Sequence, residues 1–266
     1  RHLDSRTEHH ANDIEHIGRR RVIGKRFCLI LLSMSVLAGC QSAPSAQDLQ
    51  LADVTSMEKV KNYDGLISYY KSELEQGSED PEVKEKLAWA YFHKGDIESA
   101  DFYVQHLQKE GFENPNLYQL EGQVFDARND VESAIAAYME SVDAGNTTGQ
   151  IHVLLGVSYT KVGRFNEAYQ ELNRARLRGY DDVVVKNNIA MIQMANGEYQ
   201  QAIETLAPVL KEDPANKIVK ANLAIALMKT QQIDSAKKLL KGDFSAEEIQ
   251  SIAAELTQLG VNDEAS

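Results

Sequence analysis

The sequence predicts an all-α superhelical solenoid of about five full helix-turn-helix units, with a partial hairpin before them and a capping helix after. Three ladders of residues, each stepping by 34 positions, carry that expectation. Small residues recur at Ala88, Gly122, Gly156, Ala190 and Ala224, and again at Ala100, Ala134, Ala168, Ala202 and Ala236. A branched or aromatic residue recurs at Ile97, Val131, Phe165, Tyr199 and Ile233.

The unit is clearest between Ile151 and Ala175. Leu155, Gly156 and Tyr159 share one face of a first helix, Gly163 breaks the pattern, and Ala168, Leu172 and Ala175 line a second helix. Such a hairpin has too little core to stand alone, so it must stack on its neighbours. The small residues mark where the two helices cross, since a larger side chain would overpack a close backbone approach. A helix-turn-helix array of this period identifies tetratricopeptide repeats.

The chain before the array reads in segments. Residues 1–21 are a polar upstream extension, with Val22 a candidate start; His9, His10 and His16 lie in this segment, which the mature protein is not expected to keep, and are not expected to bind a metal. Residues 22–39 read as a signal peptide. The basic cluster from Arg19 to Arg26 precedes the apolar run from Phe27 to Val36, which is too short to span a bilayer. The run closes on Leu37, Ala38, Gly39 and Cys40, which resembles the lipobox of bacterial lipoproteins. The resemblance implies cleavage before Cys40 and diacylglyceryl and N-acyl lipid on it. With Gln41 following, it also implies an outer-membrane anchor with the repeats in the periplasm. Residues 40–55 are expected to be a flexible tether, 56–260 the array, and 261–266 a frayed tail.

Within the array, Tyr63 falls on the aromatic ladder, but Leu66 occupies a small-residue position, so the first hairpin reads as partial. Pro81 and Pro115 open repeats, and Pro208 and Pro214 punctuate later ones. Ser245 and Glu248 form a capping box before a last helix that Gly260 is expected to stop.

Composition excludes more than it selects. The chain has 28 basic and 40 acidic side chains, net −12. Residues 1–39 hold seven basic and four acidic groups, so the chain from Cys40 onward carries −15. That charge repels nucleic acid. No phosphate-binding loop, zinc motif, nucleophile elbow or EF-hand loop occurs, and His93, His106 and His152 are scattered. No enzyme, cofactor or metal site is expected, nor a small-molecule substrate.

The groove is the better candidate for a site. Resemblance to tetratricopeptide repeats implies that the first helices line a concave surface. It places there Trp89, Phe92, His93, Gln119, Gln123, Val153, Val157, Lys161, Val184, Asn187, Met191, Met194, Ile218, Ile225, Met228 and Lys229. Asn188 and Asn222 fall where such repeats often hold a bound peptide backbone. The apolar members suit an amphipathic helix or an extended peptide.

A closer resemblance rests on three stretches. These are Asn187 to Pro208 (NNIAMIQMANGEYQQAIETLAP), Val219 to Leu227 (VKANLAIAL) and Gly242 to Glu248 (GDFSAEE). With the lipobox, they resemble the TadD family of Flp (tight adherence) pilus assembly, type IVb. The resemblance implies a pilotin-like, non-enzymatic lipoprotein that binds a secretin or another pilus-machine component in its groove. The alternatives are a type IVa pilus pilotin or an NlpI-like adaptor that scaffolds peptidoglycan hydrolases.

Overall fold

The computed structural model describes residues 46–263, and their side chains over 53–256. Cys40 and the segments read as signal peptide and upstream extension therefore lie outside the described residues. Within them the chain is all-helical, with no β-strand. The helices are α1 (Ala46–Lys59), α2 (Tyr63–Glu75), α3 (Pro81–Lys94), α4 (Ile97–Lys109), α5 (Pro115–Ala127), α6 (Val131–Asp143) and α7 (Gly149–Lys161). They continue as α8 (Phe165–Leu177), α9 (Asp182–Ala195), α10 (Tyr199–Glu212), α11 (Lys217–Lys229), α12 (Ile233–Leu239) and α13 (Ala246–Asp263).

Consecutive pairs form six hairpins of a tetratricopeptide solenoid, and α13 closes the stack. The third ladder turns out to mark a boundary: Tyr63, Ile97, Val131, Phe165, Tyr199 and Ile233 are each the first residue of a second helix.

The crossing of the two helices sets the geometry of each hairpin. A Cβ on Gly122 would lie 2.4 Å from the ring of Tyr138, itself fully buried. A Cβ on Gly156 would lie 2.8 Å from Cγ of Leu172. Ala88, Ala100, Ala134, Ala168, Ala190, Ala202 and Ala236 are all inaccessible to solvent or nearly so. Side chains from these crossings merge into three core layers, one near each end of the array and one around α6 to α9.

The turn inside each hairpin repeats as strictly. Lys61, Gly95, Asn129, Gly163, Gly197 and Gln231 stand 34 residues apart, and all adopt left-handed backbone, with φ from 57° to 89°. Three of the six are not glycine and bear the cost of that conformation. First helices begin on side-chain caps: Asp80 accepts from the Glu82 amide at 2.9 Å, Asn114 from Leu117 at 2.7 Å and Asn216 from Val219 at 3.1 Å. Before α13 the capping box closes reciprocally, with the Ser245 amide donating to Glu248 at 2.7 Å and the Glu248 amide to the Ser245 hydroxyl at 3.2 Å.

Three expectations need correction. Residues 46–55 are not tether but most of α1, because Val54 is buried against the first core layer and Met57 packs on it. The first hairpin is therefore complete, with Val54 and Leu66 at its two small-residue positions. Pro208 lies inside α10, where its ring removes the amide that would bond the Glu204 carbonyl without ending the helix. Gly260 does not stop α13, which runs on to Asp263. A glycine weakens a helix by only about 1 kcal/mol and terminates it only where the chain turns back.

Gly122→Ala is expected to destabilise the array by about 1–3 kcal/mol, because the Tyr138 ring must be displaced. Gln231→Gly is expected to stabilise it by about 1 kcal/mol by relieving left-handed strain. Urea unfolding followed by circular dichroism reads both changes, and opposite signs are the expected outcome.

Candidate partner-binding groove

First helices form the inner wall of the solenoid. Helix α3 packs directly on α5, α7 on α9 and α9 on α11, and among the described residues no pair of second helices meets as extensively. Side chains on the free face of the first helices therefore line a shared surface.

At the C-terminal end that surface is apolar and accessible. Val184 and Met191 on α9 are 38% and 42% exposed, and Ile218 and Ile225 on α11 are 68% and 36% exposed. Each pair is spaced by two turns, so the four residues form parallel stripes on neighbouring helices. Between them, the amide of Asn222 donates to the side-chain oxygen of Asn187 at 2.8 Å. Asn188 instead donates to the Val184 carbonyl of its own helix at 2.9 Å. Asn187 and Asn222 thus form a polar link flanked by apolar side chains, and Asn188 is committed locally.

The other expected groove residues divide by depth. Val153 is buried in the central core layer and takes no surface position. Its equivalents in other repeats explain why, since that column faces the next hairpin: Glu85 accepts from Asn114 at 2.9 Å and Gln119 from Asn146 at 2.9 Å. Met228 is buried in the C-terminal layer and Met194 packs on it. Val157 is half-buried, and Lys161 is paired with Asp126 at 2.8 Å. Lys229 donates to the Leu256 carbonyl of α13 at 2.7 Å and lies over the Tyr199 ring, so its ammonium ties the capping helix to the last repeat.

Charge is uneven along the array. Residues 46–181 hold 24 acidic and 13 basic side chains, whereas residues 182–242 hold six and eight. The apolar stripe therefore sits in the part of the array that does not repel an acidic segment.

At the N-terminal end the same wall carries aromatic residues. Trp89 and Phe92, both half-buried, meet edge to face at 6.1 Å, and the His93 ring stacks between Trp89 at 5.5 Å and Tyr63 at 5.3 Å. Tyr63, Trp89 and His93 border a cavity of about 360 Å³, also lined by Glu58, Leu66, Tyr70, Lys86 and Ala90. Sequence reasoning reached Trp89, Phe92 and His93 but missed Glu58, Tyr63 and Tyr70. They lie in the hairpin read as partial: Glu58 stands 34 residues before Phe92 on a groove register, whereas Tyr63 and Tyr70 belong to a second helix, which the groove registers do not cover.

No group of three or more His, Cys, Asp or Glu residues suits a metal among the described residues. His152 and Glu171 meet at 2.7 Å as a buried pair, with Arg174 on the other carboxylate oxygen at 2.5 Å, an arrangement that joins α7 to α8. No described helix is long and apolar enough to cross a membrane.

These features define a tetratricopeptide solenoid, a fold typical of non-enzymatic protein-interaction scaffolds. A tetratricopeptide repeat profile matches residues 193–243. A TPR repeat-containing protein of Methanocaldococcus jannaschii is 24% identical over 162 residues, covering 58% of this chain and 29% of its own length. Superkiller protein 3 of Schizosaccharomyces pombe is 31% identical over 83 residues, covering 31% of this chain and 6% of its own. The chain thus spans less than a third of the length of these curated relatives.

Among solved structures, a thermophilic TPR protein of Thermus thermophilus matches with a TM-score of 0.55 at 18% identity, covering 69% of this chain and 100% of that one. Another from Parabacteroides merdae gives 0.61 at 10% identity, covering 73% and 77%. Pseudomonas aeruginosa pilF gives 0.53 at 16% identity, covering 69% and 86%. At these identities the likeness shows the fold.

Burial holds the Glu85 carboxyl above its ordinary value, partly offset by the hydrogen bond from Asn114. The folded chain therefore keeps that proton to higher pH than the unfolded chain, and stability falls as pH rises from the ordinary carboxylate value through the raised one. Glu85→Gln, which retains an acceptor for Asn114, is expected to raise the urea midpoint at neutral pH and flatten this decline. Denaturation at several pH values between about 4 and 7 checks it.

Proposed function

We propose that the protein is a non-enzymatic scaffold that binds an apolar peptide segment of a partner along the inner wall of α9 and α11. The observation that carries this reading is the exposed set Val184, Met191, Ile218 and Ile225 around the Asn187–Asn222 amide pair. Apolar side chains provide the burial, Met191 adapts its shape, and an amide pair can open to exchange hydrogen bonds with a peptide backbone. Neutral to slightly basic surroundings favour a segment with neutral or acidic flanks.

The finer assignment follows from the resemblances in the sequence. The chain acts as a lipoprotein anchored through Cys40 to the outer membrane, with its repeats in the periplasm. It is a TadD-type, pilotin-like factor of Flp pilus assembly, and its partner is a secretin or another component of that machine. The structural likeness to pilF is one of fold and bears equally on this assignment and on an adaptor that scaffolds peptidoglycan hydrolases.

The test is capture of partners from detergent-solubilised outer membrane by wild type and by Met191→Asp/Ile225→Asp. Both positions are accessible, so the variant is expected to keep its helical circular dichroism while losing a secretin that wild type retains. Capture of hydrolases instead of a secretin would end the pilus assignment, and equal capture by both proteins would end the groove assignment. Cys40→Ser is expected to move the protein from the membrane to the soluble fraction without unfolding it, and retention in the membrane would refute the lipid anchor.

A further inference from the structure

The cavity at the N-terminal end of the array has a chemistry of its own, distinct from the stripe on α9 and α11. Its floor is Leu66, Tyr70 and Ala90, all buried, and its walls are Tyr63, Trp89 and His93. Burial and the nearby Lys61 hold His93 below the ordinary imidazole value, so the Tyr63–His93–Trp89 stack is uncharged at neutral pH. Burial first, then Glu58 and Tyr69, pushes the Tyr70 phenol up to about 12, so it too stays neutral. The interior therefore offers ring faces, ring edges and aliphatic surface, with no fixed charge.

The rim is different. Glu58 from α1 and Lys86 from α3 are exposed and reach the same opening, whereas Lys94 close by is tied to Asp64 at 2.5 Å. One acceptor and one donor of opposite charge cancel, so the rim favours neither a cationic nor an anionic side chain. Together they match a peptide unit, whose N–H can donate to Glu58 and whose carbonyl can accept from Lys86. A cavity of about 360 Å³ has room for a phenyl or indole ring, and neutral rings pack on one another edge to face.

We propose that this cavity binds one aromatic side chain of a partner peptide, with the peptide main chain held at the rim by Glu58 and Lys86. This rests on the peptide-binding reading of the array and extends it: the partner is gripped at two places, by an aromatic anchor in the first two hairpins and by an apolar segment on α9 and α11. Aromatic residues seated in pockets supply a large share of binding energy in protein interfaces, so the anchor would set where a partner begins to bind.

The single tryptophan, Trp89, lies in the cavity wall, so its fluorescence reports occupancy directly. The probe is N-acetyl-phenylalanine methylamide, which carries the ring and two peptide bonds, with the alanine analogue as control. On the full array, the phenylalanine probe is expected to give a saturable change in Trp89 emission, with half-saturation in the millimolar range for so small a ligand. Amide NMR shifts should change around Leu66, Ala90 and His93. Glu58→Ala/Lys86→Ala is expected to weaken the response about tenfold through loss of the rim hydrogen bonds. No saturable change in either signal, or an equal response to the alanine analogue, overturns the proposal. Met191→Asp/Ile225→Asp should bind the probe as wild type does. Partner capture that depends on those two residues, with no response to the probe, would thus remove the anchor and leave the groove reading standing. A normal probe response with no partner capture would do the reverse.

Discussion

The close crossing of two helices within each hairpin sets the geometry of the whole array. At Gly122 the backbone of α5 comes so near the Tyr138 ring that no side chain fits between them, and at Gly156 the same holds against Leu172. That proximity, with the neighbouring hairpins, leaves residues as large as Tyr138 on α6 and Leu172 on α8 completely buried. The first hairpin, with Val54 and Leu66 at the equivalent positions, packs its two helices over much less of their length. The cavity beside Tyr63 and Trp89 opens at this looser end.

Because a solenoid is stabilised only by neighbours, each side chain on a first helix serves either the junction with the next hairpin or the open surface. Val153 and Met228 were absorbed by junctions. Glu85 and Gln119 occupy the same kind of position as Val153 and are tolerated because Asn114 and Asn146 reach across to them. At Glu85 one carboxylate oxygen is left without a partner, a destabilising contact that its raised proton affinity reflects. The surface that remains is apolar on α9 and α11, aromatic around Trp89, and acidic over most of the rest.

The two proposed contact regions lie toward opposite ends of the array, so a partner held at both would be recognised by the spacing of its own segments as well as by their chemistry. Lys229, expected in the groove, instead fixes α13 against the last repeat.

The period, the helical class and the starts of α3, α5 and α13 were legible in the sequence, because a strict repeat forces the same steric demand on the same position each time. Ala88 to Ala224 and Ile97 to Ile233 could be read as ladders for that reason, and the Ser245–Glu248 capping box because its chemistry is local. Which members of a column are buried was set by the folded packing. That depends on contacts between hairpins, where one repeat offers an asparagine and another a valine at the same register. Depth separated Met191 from Met228, and an interhelical hydrogen bond separated Asn222 from Asn188. The aromatic cavity was invisible for a related reason: Glu58, Tyr63, Tyr70 and Trp89 come from three helices, and only their packing brings those side chains to one opening.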